Sequence, residues 1–212
     1  MVKTKRKIES NGHVQPVEVA PAQLLKLDFG SGPNPREGFE GVDRFPFDGK
    51  VKHVLDLRQT PWPWPDCSVE EAHCSHFLEH LTNLDGKWER VKFFNELHRV
   101  LVPGGKCQVI IPYWCSQRYY GDPTHKEPFS EMGWLYLIRE WRLGNPAKGV
   151  GPNAPHADVT HNPDGYSSDF ETTYGFSLHP EIALRSQPQQ QFAMQFYKES
   201  CLDMLATLTK RA

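Results

Sequence analysis

Three groups of residues have types and spacings that can do chemistry. The first is Asp28-Phe29-Gly30-Ser31-Gly32, with a second acid at Asp43. Glycine lets a backbone turn tightly and approach a ligand closely. In an open α/β sheet, such a turn at the end of the first strand is a nucleotide site, and an acid ending the next strand accepts hydrogen bonds from ribose hydroxyls. The dinucleotide version of this arrangement needs a third glycine and a full helix, with about 20 residues before the acid. Here Pro33, Pro35 and Gly38 break up the interval, and Asn34-Pro35 stands where the third glycine belongs. A pyrophosphate needs a helix N-terminus, which this stretch barely offers. A cofactor without phosphates therefore fits better than NAD. Taken alone, the turn also admits a plain strand-to-loop reading.

The second group is His76-Phe77-Leu78-Glu79-His80. On a helix, His76 and His80 would share a face beside Glu79, the inverted zinc-peptidase pattern, with Glu127 or Glu140 as a further ligand. The competing reading makes Glu79 and His80 helix-start and packing residues, and no resident metal is expected. His156, Asp158 and His161, set among prolines, read as a polar loop rather than a ligand set. The third group is Asp122-Pro123-Thr124-His125. A histidine with a pKa near ~6.5 is a natural general base, so His125 and Asp122 are the candidate catalytic residues. The simpler alternatives are a turn start at Asp122-Pro123 and a His125 that only hydrogen-bonds its loop.

The elements that must position these groups follow from the pattern of apolar residues. Leu24 to Phe29 reads as a first strand, Gly41-Val42-Asp43 as the tip of a second, Val51 to Leu57 as a third and Val69 to Ser75 as a fourth. The prolines of TPWPWP exclude regular structure between the last two. Positions 88, 91, 94, 97, 100 and 101 form a helical stripe, which Pro103-Gly104-Gly105 ends before the strand Lys106 to Pro112. Strands alternating with helices or turns predict a doubly wound, mostly parallel sheet. Beyond Tyr113 the pattern predicts a helix around 130–142 and a long loop over 144–168. Strands are expected at Phe170–Leu178 and Ile182–Ser186, and Phe192 to Leu208 fits helix or strand.

The bulk numbers narrow the classes. The chain has 212 residues and a net charge of -2, which suits one α/β domain without a polybasic footprint for nucleic acid. Residues 1–20 read as a flexible tail whose cations Lys3, Lys5, Arg6 and Lys7 are solvated or form a weak anionic-surface anchor. Residues 21–212 read as a single domain. Five unpatterned cysteines suggest reduced thiols and a cytoplasmic setting. No apolar run approaches ~18 residues, so no membrane partner is expected.

Together, LDFGSGPNPREGFEGVDRFP, HVLDLRQTPWPWPDCSVEEAHCSHFLEHL and FFNELHRVLVPGGKCQVIIPY resemble the successive motifs of class I S-adenosylmethionine-dependent methyltransferases, specifically a small-molecule-type domain with a compressed first motif. The likeness covers about residues 24–113. It implies a Rossmann-like fold with S-adenosyl-L-methionine as cofactor. Asp28, Gly30, Ser31 and Gly32 would hold its methionine part, and Asp43 with Arg44 its ribose. Asp56 and Leu57 would border the adenine, while His76, Phe77 and Leu78 would pass near the sulfonium. The methyl acceptor, a small molecule, a protein or a nucleic acid, stays open. The Asp/Asn-Pro-Pro-Tyr box of amino-methylases of nucleic acid is absent, which lowers a base-modifying role. The alternatives are a cofactor-binding accessory protein without catalysis, a metal-dependent hydrolase using HFLEH, and aminocarboxypropyl transfer. Residues 114–170, rich in aromatics, glycine and proline, are expected to form a C-terminal substrate cap over the cofactor's methyl group, with Tyr119, Tyr120 and His125 facing it.

Overall fold

The computed structural model describes the backbone at residues 6–8, 14–16, 23–153 and 158–211. The basic tail lies largely outside these residues, apart from a short antiparallel pair, Arg6–Ile8 with Val14–Pro16. His156 also lies outside them.

The body is a seven-stranded sheet. Its strands are β1 (Leu25–Phe29), β2 (Glu40–Asp43), β3 (His53–Val54), β4 (Val69–Ser75), β5 (Leu101–Pro112), β6 (Phe170–Leu178) and β7 (Cys201–Lys210). The order is β3-β2-β1-β4-β5-β7-β6. The first five are mutually parallel, and β7 runs antiparallel between β5 and β6. This is the expected Rossmann-like, mostly parallel sheet. Strand order reverses between β1 and β4, which places the ligand crevice at their carboxyl ends.

One helix, α1 (Glu89–Val100), carries the core. Its Phe93, Phe94, Leu97 and Val100 are fully buried against Leu27 and Phe29 of β1, Ala72 and Cys74 of β4, and Val109 of β5. Asn83 supplies its cap, with Oδ1 accepting from the Arg90 and Val91 amides. No helix separates β1, β2 and β3 beyond one short 3-10 turn at Phe47–Gly49. The proline-rich loop compensates. Trp62 and Trp64 are buried on Phe29 and beside Phe93, and Arg99 binds the carbonyls of both tryptophans.

Several expectations need correcting. The third strand is only His53–Val54, because Asp56 and Leu57 turn away to line a cleft. Pro103-Gly104-Gly105 does not separate helix from strand. The helix stops at Val100, and the three residues bulge out of β5, where Val69 pairs with Leu101 but Glu71 with Lys106. The region 130–142 holds two short helices, α3 (Glu131–Leu135) and α4 (Arg139–Leu143), after α2 (Gln117–Tyr120). A helical turn, α5, spans Asp158–His161 within the expected loop. No strand forms at 182–186. Instead α6 (Pro180–Ala183) precedes α7 (Gln187–Phe196), which Ser186 and Gln189 start with a reciprocal capping box. The ambiguous stretch from Phe192 therefore splits between α7 and β7.

Candidate functional site

The cleft at the carboxyl ends of β1, β2 and β4 has a volume of about 530 Å³. Its first wall is built from backbone. The Gly30 and Ser31 amides both donate to the Val42 carbonyl, at 2.8 and 3.2 Å. The Gly32 amide donates to Asp43 Oδ2 at 3.0 Å, and the Phe45 amide to Asp43 Oδ1 at 3.1 Å. Gly30 has φ +69, and a Cβ there would stand 2.7 Å from the Phe77 ring, so only glycine fits. Arg58 grips Asp56 through two contacts, at 2.9 and 2.7 Å. That pairing holds the Asp56 carboxyl below the usual range. Leu55, Leu57 and Phe45 supply apolar surface.

The second wall is lined by His76, Phe77, His80 and Leu81 with Pro123, Thr124 and Lys126, and is backed by the titratable side chains of Glu79, His125 and Asp203. Glu79 is 2% exposed, and neither carboxylate oxygen has a hydrogen-bond partner. Its Oε1 stands 3.5 Å from His76 Nδ1 and 3.8 Å from His125 Nε2. The Glu79 carboxylate raises His76 above its ordinary pKa. Asp203, arriving from β7, approaches His76 at 4.0 Å and pairs with Arg118. Burial pushes the Asp203 carboxyl above its usual range, with Arg118 opposing. Arg90 of α1 fixes this wall from behind. It donates to the carbonyls of Leu78, Glu127 and Pro128, while the Lys126 amide donates to the Glu79 carbonyl at 2.7 Å.

Gly30, Asp43, Arg44, Asp56, Leu57, His76 and Phe77 line the cleft. Ser31 and Gly32 sit on the same turn but outside the lining. Asp28 is elsewhere: its carboxylate contacts His73 at 2.7 Å and accepts from the Arg36 amide at 2.8 Å, bracing the turn from the opposite face of the sheet. Leu78 is fully buried in the core. Neither His125 nor Asp122 lines the cleft. Asp122 accepts from the amide and hydroxyl of Thr124, which holds its carboxyl below the usual range. His125 lies beneath, in ring contact with His80 and Tyr119.

The HFLEH stretch forms a tight 3-10 turn, not an α-helix, so His76 and His80 do not share a helical face. Glu127 is occupied by Thr82 and the Asn83 amide, and Glu140 lies beside Lys148. Among the described residues of 114–170, only Pro123, Thr124 and Lys126 reach the cleft. Tyr119 is buried and Tyr120 is exposed. From Glu131 onward, Trp134, Leu137 and Phe170 join the core, while most of the described residues over 143–164 are exposed. Trp134 packs on Phe129 and donates to Met204 Sδ, and Asn95 of α1 holds Gly165, Ser167 and Ser168.

Sequence reasoning missed Arg90, Thr124 and Asp203. An arginine between apolar helix positions was the one available signal for Arg90. Nothing local marks Asp203, which reaches the site only because β7 inserts beside β5.

No family model and no curated protein matches the chain. Solved structures do. A SAM-dependent methyltransferase from Archaeoglobus fulgidus superposes with TM-score 0.56 at 16% identity, covering 89% of this chain and 87% of that one. An S-adenosylmethionine-dependent methyltransferase from Mesorhizobium loti gives TM-score 0.48 at 15% identity, covering 89% and 92%. The fold is the Rossmann-like fold of class I methyltransferases.

Proposed function

We propose that this chain is a methyltransferase that binds S-adenosyl-L-methionine against the first wall and admits its acceptor past the second. One observation carries the reading. At the strand-order reversal, the glycine turn spends its amides on Val42 and Asp43, so none is left to cradle a pyrophosphate. Each Asp43 oxygen, by contrast, accepts one backbone bond and retains a second lone pair for a ribose hydroxyl. The apolar side chains Leu55, Leu57 and Phe45 suit an adenine ring. When bound, the cofactor supplies a methyl group already activated on a sulfonium.

The protein's own work is then chiefly to hold the acceptor in line, which supplies much of the rate of such a reaction. His76, His80 and Thr124 face the remaining space. His125 and Asp122 act through them as positioning residues, Asp122 by fixing the Thr124 hydroxyl. The five unpaired cysteines fit a reducing compartment. Among the described residues, no helix is long and apolar enough to cross a membrane.

Calorimetry with S-adenosylhomocysteine against NAD tests the cofactor, and a labelled-methyl screen over metabolites, proteins and nucleic acids tests turnover. Binding of S-adenosylhomocysteine alone is expected, with Asp43→Ala weakening it by ~1–3 kcal/mol. NAD binding, or undiminished affinity in the variant, overturns the reading.

A further inference from the structure

The second wall leaves lone pairs facing one another. The His125 Nδ1 lies 2.6 Å from the Tyr119 carbonyl, which can only accept, so in the neutral ring Nδ1 carries the proton and Nε2 is bare. Nε2 lies 3.8 Å from Glu79 Oε1 and the same distance from Asp122 Oδ2. Thr124 gives its one hydroxyl proton to Asp122 at 2.7 Å, so toward His80 Nδ1, at 3.2 Å, its oxygen accepts. His80 Nδ1 therefore also carries the proton, and its Nε2 is bare as well. A buried carboxylate without a hydrogen bond is costly unless paired with a cation. Here His76 Nδ1 stands beside it at 3.5 Å without making a hydrogen bond, His80 and His125 offer lone pairs, and one ligand atom from each of Glu79, His80 and His125 lies within 4.8 Å of the others.

We propose that Glu79, His80 and His125 form a site for a divalent first-row transition ion of the zinc type. Two imidazoles and one carboxylate are a donor set such ions take, with positions left open for a further ligand. Bond lengths near 2.1 Å require the side chains to close by about an ångström. The outer contacts are those that orient metal-binding histidines, namely a backbone carbonyl behind His125 and the Thr124–Asp122 pair behind His80. Lys126 to Glu79 and Arg90 to Leu78 fix the backbone beneath. The three ligands carry a single negative charge, so the bound ion keeps a net positive one. Its open positions, on the His80 side, face the cleft. They suit an anionic oxygen or sulfur of the acceptor, an assignment that rests on the methyl-transfer reading, as the metal site itself does not.

The test is calorimetric titration of the chelator-treated full chain with Zn²⁺ alone, with metal content measured after dialysis. One zinc ion per chain is expected, weakened at least tenfold in Glu79→Gln and His125→Ala. Thr124→Ala, a milder change outside the ligands, should cost about tenfold to a hundredfold, and His179→Ala nothing. Failure of the wild-type chain to bind zinc overturns the site, and that includes a simple proton shared by His125 and Glu79. Undiminished binding in Thr124→Ala together with either folded ligand variant also overturns it. S-adenosylhomocysteine is titrated into the same samples. Zinc without it leaves the metal site and removes the methyl-transfer reading, and the converse result does the opposite.

Discussion

The two walls of the cleft differ in how they treat carboxylates. Asp43, on the first wall, accepts one backbone amide on each oxygen and holds the glycine turn to β2. Glu79, on the second, is more deeply buried and has no hydrogen-bond partner. The first wall stabilises the fold and offers a ligand only its spare lone pairs. The second is a place where the fold tolerates an unfavourable group. A carboxylate kept buried with neither oxygen hydrogen-bonded points to a ligand that satisfies it.

The most severe way to disturb the comparison is Gly30→Ala. It combines a left-handed backbone with a Cβ against Phe77, and about 3 kcal/mol of stability should be lost in urea denaturation. A carboxylate-to-amide exchange tests the contrast directly, with opposite signs. Asp43→Asn replaces one of two acceptor atoms with a donor and should destabilise by about 2 kcal/mol. Glu79→Gln removes a buried charge that no hydrogen bond satisfies and only the His76 and His125 rings approach, so in metal-free protein it should stabilise by about 1 kcal/mol. Equal signs in the two variants would break the distinction between the walls.

The smallest effect is one of pH and concerns the support of the first wall. Burial raises the Glu96 carboxyl, but Arg99 and the Trp62 amide outweigh it and hold it below its ordinary value. Its folded pKa is thus lower than its unfolded one. The stability it confers is present above the ordinary glutamate value of 4.5 and fades as pH falls through the depressed folded value. Glu96→Gln should flatten the acid limb of a stability–pH curve by about 1 kcal/mol, read from urea midpoints between neutral pH and pH ~3.

The first wall was largely legible in the sequence and the second was not. Gly30, Asp43 and Asp56 lie within one local stretch, where glycine, proline and strand-end acids have fixed positional meaning. Asp28 was the exception. Its alternation with Leu27 and Phe29 turns its side chain to the other face of the sheet, where His73 receives it. The second wall draws on residues from three separated segments, and no local pattern joins Glu79 to His125 or Asp203. The helical alternative for HFLEH fails because the fourth strand ends at Ser75, where its apolar pattern placed it, and only a single tight turn follows. The β3 strand was overread because its apolar run continues past Val54, where Leu55 and Leu57 face the cleft and the core instead.

The place of β7 bears on how the chain folds as it is made. Among the described residues, β7 is the one strand that pairs with β6, and β7 is synthesised after it. The segments from β1 to β5 can pair in the order in which they leave the ribosome. β6 then has to wait through α6 and α7 before its only neighbour exists. Without β7 its ladder groups are open to other chains, the exposure that makes unpaired strands prone to association. Ending the chain at residue 200, which leaves the edges of both β5 and β6 open, should therefore lower the soluble yield sharply.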